Sequence, residues 1–503
     1  MSEYLINSEI KNELIDFFKN TDDFLIIDGG AGSGKTSAIA WGLNYCEQNN
    51  LTTNAISYTG KASSILREKS NGKYGQTIHL FLYQYDFDIN ENEIEPGDPE
   101  RIRRLNTQAV DVLFVDEASM LSRNVKGFRV EEEERETYLL EELIILQCKK
   151  NSKKIVFVGD HRQLDPVEKE DQHDSEEESD TQFNDESLEF VSQSKLFSDA
   201  LNENFLIETY KLRGGSYYCI ENYRNKSSSN VYKIFGDLAA EITGHENIEF
   251  SPRDWIKDKY PQYILNSEEE AFNWLKKKRD EVGWAETRVV TGFNSSVDEM
   301  NSKIRINIEN LTGEVGEYRF NPTHPLMNLR NRHFIEIYNG DTFFIKNVLE
   351  ENYGRTNEKI LCEKHKICRS EKLENFKISK IELQLKRKSK TSKRVLMVNE
   401  LINLELARRD LDERYNKNLW YDFVHRHPEI EDKKDTNWYQ MLREDEVCNS
   451  LLVVHAFAST VHKAQGDEFE FVLIDLDNEQ FSLKWLYTAV TRAKSEVRFL
   501  ISS

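Results

Sequence analysis

The sequence predicts an α/β fold with two parallel-sheet cores, and three observations predict it. Apolar runs of strand length recur at Phe24–Ile27, Val112–Val115 and Ile155–Val158, each too short for a helix. Helical stretches separate these runs, and each run ends directly in polar or glycine residues. That pattern marks a parallel sheet with its site at the strands' carboxyl ends. A further series of candidate strands follows residue 200, at Phe205–Ile207, Arg288–Val290, Leu451–His455, Phe471–Ile474 and Val497–Ile501.

Taken in order, residues 1–20 read as an amphipathic helix with Ile10, Leu14, Ile15, Phe17 and Phe18 on one side and Asn7 or Ser8 as cap. Phe24–Ile27 follows as the first strand, and Ser37–Cys46 as its helix. Asn54–Tyr58 makes a second strand that leads into Thr59, Gly60, Lys61 and Ala62 and a helix through Arg67. The segment 86–100 is rich in Asp, Glu and Asn but has spaced apolar residues, which fits a small exposed hairpin. Between about 320 and 447 the period changes to strand-like alternation: Ile335 and Ile337, an Asn339-Gly340-Asp341 turn, then Phe343 and Ile345. Ile381, Leu383 and Leu385 alternate as another strand, and a Trp/Tyr-containing helical stretch follows at 403–443. The expected organisation is a first core over 1–200, with a hairpin at about 81–105 and an acidic loop at 168–189. A second core spans 201–319 and 448–503, with an inserted domain over 320–447.

Residues 29–36 carry the densest chemistry. Gly29, Gly30, Ala31, Gly32, Ser33, Gly34, Lys35 and Thr36 form G-x-x-x-x-G-K-T between a strand and a helix, a phosphate-binding loop. The glycines let backbone N–H groups converge on phosphate oxygens, and the helix start adds its positive dipole end. Lys35 is expected to reach the β- and γ-phosphates, and Thr36 to hold Mg²⁺. Asp116 and Glu117 close a strand of the same sheet, so Asp116 can hold Mg²⁺ through water while Glu117 addresses the attacking water. Gln163, just past the next strand, can sense the γ-phosphate. Hydrolysis also needs positive charge on the transferring group, and Arg213 and Arg492, both assigned to the second core, are the candidates.

Charge bounds the partners. The 503 residues carry a net charge of −22, which argues against a protein that coats nucleic acid non-specifically. The excess is concentrated, however. Residues 168–189 hold eleven Asp/Glu against one Lys, and 131–143 hold seven Glu against one Arg, whereas 364–394 hold twelve Lys/Arg against three Glu. A near-neutral body with acidic runs and one basic stretch is compatible with a nucleic-acid groove. The 168–189 run reads as a solvated loop, or as a decoy for the basic stretch. No apolar run approaches the ~20 residues of a membrane span, and residues 1–15 lack the apolar stretch of a secretory signal. The isolated cysteines 46, 148, 219, 362, 368 and 448 fit reduced thiols and a cytoplasmic protein. Cys362-x-x-His365-x-x-Cys368 lacks the second ligand pair zinc normally takes.

The ordered set GGAGSGKT, TGKA (59–62), TIH (77–79), DEAS (116–119), GDHRQLDPV (159–167), STVHKAQG (459–466) and LYTAVTRAK (486–494) resembles a superfamily 1 helicase of the RecD/Dda kind. Residues 289–305 resemble a segment of phage Dda-type helicases as well, and the match covers about two-thirds of the chain. The resemblance implies two RecA-like cores, the second carrying a small SH3-like barrel and a helical tower. It implies an ATP site of Lys35, Thr36, Asp116, Glu117, Gln163, Arg213 and Arg492, with Arg224 as the alternative to Arg213. It implies a single-strand track of Thr59, Lys61, His79, Thr291, Asn294, Thr460, His462 and Lys463, coupled to nucleotide through Gln465 and Gly466. Short hydroxyl, amide and Lys groups at strand ends suit that role, since they grip phosphates without reading bases. Also implied are ATP and Mg²⁺ as cofactors, movement 5′ to 3′ along single-stranded DNA of a tailed or forked duplex, and a strand-separating hairpin near 81–100. Ile10 stands where these helicases have a glutamine that reads adenine, so a preference for ATP over other triphosphates is not implied. The expected activity is therefore an ATP-dependent DNA helicase or translocase, monomeric unless it is partnered by a protein of repair, replication or phage defence. An RNA motor, or a nucleotide-gated recognition subunit that unwinds nothing, would carry the same motifs.

Overall fold

Asn7 accepts the Glu9 N–H at 2.8 Å and so starts helix α1, Ser8–Lys19, as its sequence position suggests. α1 buries Ile10, Leu14 and Phe17. The computed structural model describes residues 7–85, 103–126, 137–164, 198–219, 229–244, 251–309, 321–330, 332, 335, 337–350, 378–386, 392–398, 423, 426–427, 441, 444–476 and 481–501. The chain divides into two compact units. One comprises Met1–Phe87, Ile102–Glu268 and Ala464–Ser503, and the other Asp88–Arg101 and Glu269–Lys463.

In the first unit, β1 (Phe24–Gly29), β2 (Thr53–Ser57) and β3 (Gln76–Thr77) are followed by a short antiparallel pair, β4 (Tyr83–Tyr85) and β5 (Arg103–Leu105). Then come β6 (Val112–Asp116), β7 (Lys154–Gly159) and β8 (Gly214–Cys219). Six of these make a parallel sheet in the order β3-β2-β6-β7-β1-β8. The apolar runs are continuous because both faces of this sheet are covered. Leu25, Ile27, Phe114, Val156 and Val158 pack on α1 and on α2 (Lys35–Gln48) through its Ile39, Leu43 and Cys46. Phe24, Ile26, Leu113, Val115, Ile155 and Phe157 face Leu140, Leu143, Ile144 and Leu206. Helices α3 (Gly60–Lys69) and α4 (Ile78–Leu82) follow β2 and β3, and α5 (Leu139–Ile144) precedes β7. β4 and β5 fall at the two ends of the segment read as a hairpin, and the residues between them lie outside those described.

The stretch after residue 200 departs from expectation. Phe205–Ile207 is not a strand but part of α6 (Glu203–Tyr210), because Asn202 caps it by accepting the Phe205 N–H at 3.0 Å and Glu203 sits in its first turn. The strand here is β8, which joins the first sheet along β1, with Phe24 opposite Gly214 and Gly29 opposite Cys219. The first sheet therefore runs past residue 200 to Cys219. Helices α7 (Asn230–Gly244) and α8 (Pro252–Lys259) follow, with β9 (Ile264–Leu265).

The second unit opens with α9 (Glu268–Val282), β10 (Thr287–Thr291) and α10 (Asn294–Asn307). β11 (Leu326–Asn328), β12 (Thr342–Glu350), β13 (Ile378–Leu385), β14 (Ser392–Val398) and β15 (Leu451–His455) close a barrel. The alternation at 343–345 and 381–385 points Phe343, Ile345, Ile381, Leu383 and Leu385 into its core, together with Val395, Met397, Leu451 and Val453. Two details are corrected. Leu451–His455 is a barrel strand, paired with β14 and β11, rather than a strand of the second parallel core. The Asn339–Asp341 turn precedes β12, but the strand paired there is Leu326–Asn328, and Ile337 makes only an isolated bridge to Arg332. Fully buried Ile381 gives a direct test of the barrel: Ile381→Ala is expected to cost about 2–5 kcal/mol in urea unfolding. A loss below about 1 kcal/mol would show that the site is not a packed core.

The parallel strands expected of the second core are divided between the units. β16 (Ala458–Thr460) pairs with β10 in the second unit, while β17 (Phe469–Asp475), β18 (Ala493–Leu500) and β9 pair in the first. Helix α11 (Leu483–Val490) joins β17 to β18. Among the described residues, no helix is long and apolar enough to cross a membrane. Cys46, Cys148, Cys219 and Cys448 are free thiols. The Cys362–Cys368 motif, the 168–189 run, most of the basic stretch and most of 403–443 lie outside the described residues.

Candidate nucleotide and nucleic-acid site

Because the first sheet is parallel, its carboxyl ends gather the motifs on one edge. Asp28 of β1 lies opposite Gly159 of β7, Val115 of β6 opposite Phe157, and Ser57 of β2 opposite both Asp116 and Thr77. The phosphate loop thus leaves β1 two strands, about 10 Å, from the one that ends in Asp116. Gly32 (φ 80°) and Gly34 (φ 88°) take left-handed backbone conformations, and Gly34 opens α2 as its N-cap. Lys35 Nζ is folded onto the loop, donating to the carbonyls of Gly29 at 2.5 Å and Gly30 at 2.8 Å. The Ser33 hydroxyl is buried there beside the Cys219 thiol.

Glu117 follows β6 in a left-handed conformation (φ 54°, ψ 41°) that few non-glycine residues adopt. Its N–H donates to Asp116 at 3.0 Å. Burial, with the Glu117 charge behind it, pushes the Asp116 carboxyl up to about 7. A divalent cation held by that carboxyl would oppose this effect.

β7 ends in a tightly bonded turn. Asp160 accepts from Arg162 Nε at 3.0 Å, from Tyr487 Oη at 2.8 Å and from Gln163 Nε2 at 3.4 Å. Burial opposes its charge, yet Arg162, Lys35 and the Tyr487 hydroxyl together hold the Asp160 carboxyl below its usual range. His161 pairs through Nδ1 with Asp28, so the carboxylates of Asp28 and Asp160 are each matched by a buried partner. Beside this turn is a cavity of about 540 Å³, whose lining includes Ile26, Asp28, His161, Arg162, Tyr218 and Ala240.

Gln163 and Gln465, expected to act at opposite ends of the coupling, meet directly, with Gln465 Nε2 donating to Gln163 Oε1 at 3.3 Å. Gly466 follows with φ 82°. Arg492 is buried next to this loop. It donates from Nε to the Thr488 carbonyl at 3.0 Å and from Nη1 to the carbonyls of Ala464 and Asp467 at 3.5 and 3.4 Å. Arg213 is elsewhere and belongs to the first sheet, not to the second core. Its N–H and side chain engage Asp23 just before β1, and its carbonyl accepts from Asp23 and Phe24. That is the amino end of β1, a strand's length (about 17 Å) from the phosphate loop. Arg213 therefore does not join the other site residues. Arg224 lies outside the described residues.

Of the expected track residues in the first unit, Thr59 is the N-cap of α3, accepting from Ala62 N–H at 3.2 Å. His79 is half-buried, with its ring 6.2 Å from Tyr58 and 6.4 Å from Tyr83. Lys61 points inward and forms a 2.6 Å ion pair with Asp467, the residue after Gly466. In the second unit, Thr291 and Thr460 are register partners at the ends of β10 and β16. Lys463 Nζ donates to Asn294 Oδ1 at 3.1 Å, and burial pushes His462 below the usual imidazole range. These five residues form one cluster at the carboxyl ends of two parallel strands.

Two family models match this chain, an AAA domain over residues 8–182 and a UvrD-like helicase C-terminal domain over 455–500. They cover the two motif blocks whose side chains have just been placed. In these two blocks the chain is similar to helicases. A curated relative of this chain, the uncharacterized protein MJ1519 of Methanocaldococcus jannaschii, is 26% identical over 508 residues. The match takes in 95% of this chain but only 36% of that protein's length. The crystal structure of Pif1 helicase from Candida albicans shares the fold at a TM-score of 0.50 with 14% identity, covering 99% of this chain and 94% of that one. Pif1 helicase from Bacteroides, in complex with ADP-AlF3 and ssDNA, aligns at a TM-score of 0.48 with 14% identity over 98% and 92% of the two chains. Sequence reasoning missed Arg162 and Tyr487. Both lie inside quoted motifs, but their burial against Asp160 is a tertiary fact.

Proposed function

We propose that this protein is an ATP- and Mg²⁺-dependent DNA helicase that moves 5′ to 3′ along single-stranded DNA. The observation that carries the reading is the bond between Gln163 and Gln465. It ties the turn at the end of β7, beside the phosphate loop, to the segment that follows His462 and Lys463. Lys35 leaves the carbonyls of Gly29 and Gly30 for the β- and γ-phosphates, and the loop's N–H groups take the remaining oxygens. The Thr36 hydroxyl and the Asp116 carboxyl would hold Mg²⁺, which neutralises phosphate charge when bound. Glu117 takes the proton of the attacking water, and Arg492 answers the charge that develops on the transferring group. In place of Arg213, Arg224 is the second arginine. It lies five residues beyond Cys219, where β8 ends alongside Gly29 at the phosphate-loop end of the sheet. Loss of the γ-phosphate alters what Gln163 can bond, and Gln465 passes that change to the chain that grips DNA. Thr59, His79, Thr291, Asn294, Thr460, His462 and Lys463 hold the strand by phosphate contact and stacking. Lys61 joins them on exchanging Asp467 for a DNA phosphate.

Strand displacement on duplexes with a single 5′ or 3′ tail tests this reading. ATP-dependent unwinding of the 5′-tailed substrate alone is expected. Unwinding of the 3′-tailed substrate alone would reverse the direction, and ATP hydrolysis with no displacement of either would contradict helicase action.

A further inference from the structure

The Arg162 side chain is 95% buried, and its guanidinium is fixed on three sides. Nε is held by Asp160 at 3.0 Å, and the Tyr218 and Tyr487 rings lie 5.3 and 5.4 Å from the guanidinium carbon. Tyr487 is itself backed by Phe235, ring centres 5.2 Å apart. Nη2 is buried and has no hydrogen-bond partner among the described residues. A guanidinium N–H taken out of water and left unmet is costly, and folded proteins keep few such groups without a use for them.

The position of that nitrogen gives the use. A Cβ built on Gly30, the second residue of the phosphate loop, would stand 3.3 Å from Arg162 Nη2, 3.3 Å from Tyr487 Oη and 2.7 Å from the Phe235 ring. The free edge of the guanidinium therefore sits over the loop, against backbone that only glycine leaves open. Lys35, the loop's own cation, has Gly29 and Gly30 carbonyls to release before it can serve a phosphate, whereas Nη2 has none. Burial opposes charge on Arg162, but Asp160 and the Tyr487 and Tyr218 hydroxyls together outweigh it and the side chain stays protonated.

We propose that Arg162 is a phosphate ligand of the bound nucleotide, donating through Nη2 beside Lys35 from a guanidinium held in advance by Asp160, Tyr218 and Tyr487. The inference rests on the nucleotide-binding reading of the loop. A planar fork locked on one edge and open on the other suits an anionic oxygen, and a lysine would supply charge without that geometry. The same contact reaches beyond the loop. Tyr487 lies on α11, whose Thr488 hydroxyl accepts the Leu164 N–H at 3.0 Å and whose Thr488 carbonyl accepts from Arg492. A phosphate pulling on Arg162 thus loads the helix that ends just before Arg492.

The test is fluorescent-nucleotide binding and steady-state hydrolysis by the full chain as wild type, Arg162→Gln and Arg162→Lys. Arg162→Gln is expected to weaken ATP-analogue binding about 10–100-fold, as loss of a charge-assisted bond does. Arg162→Lys should recover part of that, and because it keeps a charge beside Asp160 its melting temperature without nucleotide should fall less than that of Arg162→Gln. Affinity and KM within twofold of wild type in both variants would overturn the proposal. So would a lower melting temperature with unchanged affinity, which identifies a purely structural clamp. Should Arg162→Gln not fold, Arg162→Lys decides alone, since it keeps a charge for Asp160 but lacks the second edge. A wild-type protein that binds no nucleotide would instead overturn the reading of the loop itself.

Discussion

Glu117→Gln is expected to leave a protein that binds nucleotide but turns it over roughly 10²–10⁴-fold more slowly, the range a positioned general base contributes. The substitution keeps shape and removes only the ability to take a proton. Glu117 is also held in a left-handed backbone conformation, and strain of that kind persists where a side chain must be aimed. Lys35→Ala is the contrasting control. It removes the cation proposed to serve the phosphates, so both binding and hydrolysis should be lost. Nucleotide titration alongside a phosphate-release assay separates the two cases. Failure of Glu117→Gln to bind nucleotide, or a rate within about tenfold of wild type, would remove Glu117 from the role of base.

The second large effect concerns the arginines. Arg492→Ala is expected to lower DNA-stimulated hydrolysis by about 10³-fold or more, as loss of an arginine on the transferring phosphoryl group does. Arg213→Ala should stay within about twofold, because that side chain is exposed and engages Asp23 at the wrong end of β1. An exposed pair of that kind contributes little to stability either. Arg492 also binds the carbonyls of Ala464 and Asp467, so its variant needs a melting curve to show that the loop remains ordered. Equal losses from Arg213→Ala and Arg492→Ala would mean that position along β1 is no guide to function here.

The features legible in the sequence were those set by local physics. The phosphate loop is fixed by glycines that must turn and a helix that must start. β1, β6 and β7 are apolar runs buried on both faces, and α1 announces its cap. The alternation at Phe343–Ile345 and Ile381–Leu385 showed a sheet with one buried face, and the barrel supplies it. What was missed depends on partners distant in the chain. β8 is an edge strand whose only buried residue is Cys219, so it has no apolar run to betray it. Phe205–Ile207 is three apolar residues, too few to tell strand from helix, and the deciding signal was the neighbouring Asn202–Glu203 cap. Leu451–His455 reads as a strand in any sheet, and only its pairing with β11 and β14 places it in the barrel. Arg213 could be read as following an apolar segment, but not as lying at the amino end of β1. Lys61 gave no sign of its pairing with Asp467, 406 residues away.

The most direct test is ATP hydrolysis by the purified chain, measured alone and with single-stranded DNA, single-stranded RNA or blunt duplex. If the Gln163–Gln465 bond couples nucleotide to a DNA-gripping segment, as proposed, the chain should hydrolyse slowly alone and at least tenfold faster with single-stranded DNA, with little response to blunt duplex. A rate indifferent to every polymer would contradict coupling through Gln163 and Gln465, and stimulation by RNA alone would contradict DNA as the track.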